Sequence, residues 1–111
     1  MTIQELLANY TETYGVPTQY GTMDEMCDPP FIVYMGYAPD HFYADNIPYV
    51  KQKAYRIEYY FKTKDESLEE TLESTLSSDG WIFDRSDDLY ISQEKLYAIY
   101  YYIERMQNYG N

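Results

Sequence analysis

Apolar positions along the chain switch between helical and alternating spacing, and these switches, with the breaks between them, mark the elements. Ile3, Leu6, Leu7 and Tyr10 recur at helical spacing, behind a Thr2-Ile3-Gln4-Glu5 stretch that reads as a capping box. Gly15 and Pro17 end that helix, and Thr18–Gly21 fits a short strand. Asp28-Pro29-Pro30 is a break, because prolines cannot continue a ladder. Phe31–Tyr37 is almost wholly apolar, the pattern of a central strand. Tyr49–Phe61 is the longest strand candidate, with Tyr55, Ile57, Tyr59 and Phe61 alternating against Arg56, Glu58, Tyr60 and Lys62. The period then returns to helical. Asp65-Glu66-Ser67 opens a helix whose stripe is Leu68, Leu72 and Leu76, with Glu66, Glu69, Glu70 and Glu73 expected on solvent, and Ser77–Gly80 stops it. Trp81-Ile82-Phe83 starts a strand, Asp84–Asp88 turns, and Leu89–Ile103 returns as one long strand.

This order predicts an α+β fold: an antiparallel or mixed sheet of four to five strands with both helices on one face. A single domain over residues 1–111 is expected, with about 105–111 frayed. In the last strand both alternating sets are apolar or aromatic, so one sheet face packs the helices and the other needs a second cover.

Composition sharpens that second point. The chain holds 16 tyrosines, a residue that buries a large ring while keeping a wet hydroxyl and so suits half-buried surfaces and interfaces. The net charge is −11, unevenly spread. Residues 1–50 contain no Lys or Arg; residues 51–64 carry Lys51, Lys53, Arg56, Lys62 and Lys64 against Glu58 alone; residues 65–88 carry nine acids against Arg85. One basic band inside an acidic molecule disfavours binding to DNA phosphates. It allows self-association, the band of one copy meeting acids such as Glu69 and Glu73 of another, and such contacts weaken in high salt.

Little in the sequence points to catalysis. His41 is the only histidine, and with Asp40 and Asp45 it makes an incomplete ligand set, so no metal is expected. Cys27 rules out an internal disulfide and has no cation near it in the first 50 residues to activate a thiolate. The five glycines form no phosphate cradle, and no cofactor is expected. No apolar run approaches a membrane span, and Met1–Glu5 lacks the basic start of a signal peptide, which fits synthesis inside the cell. The connection at 38–48 is longer than a tight hairpin loop, and such loops more often carry function.

Five stretches in order, "PPFIVY", "FYADN", "YRIEYYFKTKD", "ESLEETLESTL" and "EKLYAIYY", resemble the small tail-terminator (tail-completion, head–tail joining) proteins of siphophages and prophages of Gram-positive bacteria. The resemblance spans roughly residues 2–104. It implies a non-enzymatic α+β subunit that forms a ring, usually a hexamer, at the head-proximal end of the tail tube. The ring stops tube growth and docks the head. Its partners would be itself, the major tail tube protein and a head-completion or connector protein, with DNA passing through the ring unbound and no membrane involved. Its location would be the virion tail, after assembly in the host cytoplasm. In that setting Phe42 and Tyr43 are candidate anchors, Asp45-Asn46 a turn and Pro48 a stiffener, with Tyr49, Lys51, Lys53, Arg56, Glu69 and Glu73 completing the interface set. Two other roles remain open: another head–tail connector component, or an acidic DNA mimic that inhibits a nucleic-acid enzyme.

Overall fold

The computed structural model describes residues 1–22, 27–37 and 50–108. Helix α1 (Ile3–Tyr14) starts on the expected capping box, the Thr2 hydroxyl accepting from the Glu5 amide and the Glu5 carboxylate accepting from the Thr2 amide. It ends at Gly15, whose φ of 75° is the left-handed conformation glycine adopts without a steric penalty. Strands β1 (Thr18–Tyr20), β2 (Phe31–Gly36) and β3 (Val50–Phe61) follow, then helix α2 (Glu66–Ser78), capped by the Asp65 carboxylate on the Leu68 amide. Strands β4 (Ile82–Arg85), β5 (Leu89–Ile91) and β6 (Leu96–Asn108) complete the chain.

The result is a mixed α+β sheet in the order β1-β2-β3-β6-β4, with β5 also paired to β6. Among the described residues only β1–β2 is parallel. This gives more strands than the four to five expected. The expected long return strand is divided: Ser92–Lys95 turns the chain back, so β5 and β6 form a hairpin in which Tyr90 faces Tyr97. No glycine marks the turn; Lys95 takes its left-handed position, with φ 57°. Strand β6 stays paired to β3 as far as Asn108, within the tail expected from about 105, and 109–111 lie outside the described residues.

Register sorts the side chains into two faces. Ile32, Tyr59 and Ile99 lie in one cross-strand row, and Tyr34, Ile57 and Tyr101 in the next. These side chains are buried beneath Ile3, Leu6, Leu7 and Tyr10 of α1 and Leu72 and Leu76 of α2, forming one core. Both helices therefore cover the same face, as the two periodicities required. Trp81 closes the core at one end, its ring edge-on to Tyr55 and stacked under the Arg105 guanidinium at 4.3 Å. Among the described residues no helix is long and apolar enough to cross a membrane.

Candidate functional site

The sheet face away from the helices is aromatic and charged at once. Its rows are Phe31–Tyr60–Ala98–Leu89, Val33–Glu58–Tyr100 and Met35–Arg56–Tyr102–Asp84. Phe31 and Tyr60 stack at 5.0 Å, and Tyr37 reaches over β3 to meet Tyr102 edge-on at 5.7 Å and donate to Glu104 at 3.2 Å. Arg56 sits at the centre. Its guanidinium lies 6.0 Å over the Tyr100 ring and contacts the Met35 sulfur. Arg56 Nε is 2.8 Å from Glu58 Oε2, yet that N–H is not aimed at the oxygen and has no hydrogen bond, although it is buried. The Tyr60 hydroxyl donates to the other Glu58 oxygen at 2.7 Å. Burial, then this bond, raise the Tyr60 pKa. Most of these side chains are half-buried and Tyr102 is exposed. A ring face with a polar group at its middle is the composition of an interface core rather than of solvated surface.

The acids of α2 do not behave as expected. Glu69 is 3% exposed, not on solvent, and its Oε1 accepts from Lys64 at 2.8 Å and Arg85 at 3.2 Å. Glu73 is paired with Arg85 at 3.0 Å and accepts the Tyr101 hydroxyl at 2.7 Å. Asp88 joins both cations, at 2.9 Å to Lys64 and 3.0 Å to Arg85. Burial alone would lower the Lys64 and Arg85 pKa values, but the carboxylate bonds outweigh it and both rise. The network locks α2 onto the β4–β5 corner. Glu69, Leu72, Glu73 and Leu76 stand at i, i+3, i+4 and i+7, one helix stripe. The expected stripe of Leu68, Leu72 and Leu76 does face the core, Leu68 packing against it half-buried, and the same face also takes in Glu69.

The basic band is likewise not one surface. Arg56 is on the aromatic face, and Lys53, an odd number of positions away along the same strand, is on the helix-side face. Lys51 lies in β3 opposite Gln107. Arg56, Glu69 and Glu73 thus have partners inside their own chain, against the expectation that all three would reach across to another copy. Phe42, Tyr43, Asp45 and Tyr49, with His41 and the rest of the 38–48 connection, lie outside the described residues.

Two depressions flank α2. A groove of about 480 Å³ is lined by Asp28, Pro30, Tyr59, Lys62, Asp65 and Leu68. At its base the Tyr59 hydroxyl is buried without a hydrogen bond, as is Glu69 Oε2. Burial, then Glu69 and Asp65, push the Tyr59 pKa up to about 12. A more open trough of about 620 Å³ lies between α1 and α2, lined by Ser67, Glu70, Thr71, Ser74 and Ser78 with Tyr14 and Met1. Cys27 is half-buried, its thiol 3.7 Å from the Asp28 carbonyl oxygen. Among the described residues no three His, Cys, Asp or Glu side chains gather as a ligand set.

No protein-family model matches the chain, and no curated protein matches it in sequence. The structure is an α+β fold with one sheet face covered by its own helices and an aromatic face opposite.

Proposed function

We propose that this protein is a structural subunit that forms a ring at the head-proximal end of a phage tail tube, ending tube growth and offering the surface on which the head docks. The observation that carries the reading is the aromatic sheet face built around Arg56 and Glu58, to which neither helix is packed. In a ring, every subunit presents such a face to a neighbour or to the tube. The resemblance of residues 2–104 to the tail-terminator proteins supplies the identity of the assembly. In this setting the 38–48 connection reaches a neighbouring protein through Phe42 and Tyr43, and the large negative charge lets DNA pass without sticking.

The acidic DNA-mimic reading loses support. Glu69, Glu73 and Asp88 are engaged with Lys64 and Arg85 and do not stand free as a row of phosphate substitutes.

Tyr102→Asp in the phage tests the reading. Tyr102 is 38% exposed, so the fold tolerates the change, while a charge on the aromatic face desolvates badly at an interface. The expected lysate holds separate heads and tails with few virions. Normal virion yield would remove the aromatic face from assembly.

A further inference from the structure

The groove at the start of α2 holds a polar group that the chain itself leaves unserved. Three segments meet there: Asp28-Pro29-Pro30 ahead of β2, the loop 62–65 between β3 and α2, and Leu68 in the first turn of α2. Tyr59, near the end of β3, completes the lining. Its side chain is fully buried, yet its hydroxyl has no hydrogen bond. Asp65, itself a groove residue, is among the charges that raise the Tyr59 pKa, which sets the hydroxyl at this end of α2. The Tyr10 hydroxyl is already spent, donating to the Leu68 carbonyl at 2.9 Å. Buried hydroxyls are ordinarily paired, with protein or with something bound. One water would serve the bond, but the groove offers about 480 Å³ against the roughly 15 Å³ one water needs. Its charges are of both signs. Asp28 and Lys62 are exposed and neither has an ion pair among the described residues, nor does the Thr63 hydroxyl have a hydrogen bond there. Asp65 spends one oxygen on the Leu68 amide, and Lys64 is held by Glu69 and Asp88.

We propose that this groove binds a small zwitterion of the amino-acid type with an aliphatic side chain. A ligand of one sign would leave either Asp28 or Lys62 facing its own charge, whereas one carrying both an ammonium and a carboxylate meets both. The charges that act on the Tyr59 hydroxyl, Glu69 and Asp65, are negative, and Glu69 Oε2 is also buried with no hydrogen bond. An ammonium suits that end: it only donates, and the phenolic oxygen and carboxylates accept. The ligand carboxylate then turns to Lys62 and the Thr63 hydroxyl, which both donate. Pro29, Pro30 and Leu68, all half-buried, are the apolar part of the lining, and an aliphatic side chain covers them. The volume falls in the range of about 300–1,000 Å³ typical of small-molecule sites. The proposal does not rest on the ring reading.

Leucine tests it, titrated into the isotopically labelled full chain and followed by nuclear magnetic resonance. Two further probes are isocaproate, which lacks the ammonium, and isoamylamine, which lacks the carboxylate. Leucine is expected to move the amide signals of 62–68 along a saturable curve, and each single-charge probe to bind about tenfold more weakly. Tyr59→Phe removes one oxygen and keeps the ring. It is expected to hold or raise the melting temperature, because it deletes an unserved buried hydroxyl, and to bind leucine about tenfold more weakly. A folded Tyr59→Phe chain with undiminished leucine affinity overturns the proposal. If that variant does not fold, Lys62→Ala, at an exposed position, decides in its place, and undiminished affinity there overturns it equally. So does isocaproate or isoamylamine binding as tightly as leucine. The absence of any saturable shift with leucine also overturns it, and marks the groove as filled by water only.

Discussion

Arg85 is the residue on which the helix–corner junction turns. Its guanidinium serves Glu69, Glu73 and Asp88 together, and Glu69 is almost wholly enclosed. Arg85→Ala leaves that carboxylate with Lys64 alone. The expected cost is about 1–3 kcal/mol, the range for hydrogen bonds to charged groups and for partners left unsatisfied; urea denaturation measures it, and an unchanged midpoint would show the network to be ornamental. Tyrosines set the alkaline limit. Burial raises the pKa of Tyr10, Tyr60 and Tyr101, and takes Tyr59 from 10.0 to about 12. The folded state therefore holds these protons after the unfolded chain has released its own. The stabilisation is complete below about pH 10, and stability falls with rising pH until the folded values are passed. Melting temperature is expected to stay level from neutrality to about pH 9 and drop steeply above about pH 10; a level curve to pH 12 would contradict this burial. Phe42 and Tyr43 belong to the proposed contact with a neighbouring protein. Phe42→Ala/Tyr43→Ala is expected to leave the subunit folded and block head–tail joining, since two anchor rings at an interface can carry several kcal/mol. Virion counts check it, and a normal yield would contradict it.

At the scale of elements, α2 shows what holds the fold. Leu72 is fully buried, in the same core cluster as Ile57 and Tyr101. Leu72→Ala is expected to cost about 2–4 kcal/mol through the cavity it leaves, measured by chemical denaturation. The helices and the long strands were legible in sequence because amphipathic period and end signals agree there: Thr2 and Glu5 at one start, Asp65 at the other, Gly15 and Gly80 at the ends. The β5–β6 hairpin was not, since Ser92-Gln93-Glu94-Lys95 offers no glycine or asparagine and the tyrosines on both sides continue the alternation. The fate of the charges was hidden for a different reason. Arg85 meets Glu69 only because β4 is laid beside α2 in three dimensions, and no local pattern encodes that meeting. Arg56 and Lys53 looked like one basic band in the sequence, and strand alternation divides them between two faces.

As a whole the molecule is elongated, 44 × 28 × 26 Å, with a helix-covered sheet face and an aromatic face opposite. Under the proposed ring reading, the aromatic face is the surface left for a neighbouring protein. Arg56, Glu69 and Glu73 have ion pairs within their own chain. The aromatic face adds a contribution that salt does not screen, so assembly is expected to weaken at high salt without vanishing. The most direct measurement of the central claim is the length distribution of tail tubes in lysates of a phage whose copy of this chain is cut short by an early stop codon. The ring account predicts filled heads without tails, beside tubes of uncontrolled length, and restoration of uniform, joined tails when the intact chain is supplied in trans. Tubes of normal, uniform length already joined to heads in the mutant lysate would contradict it.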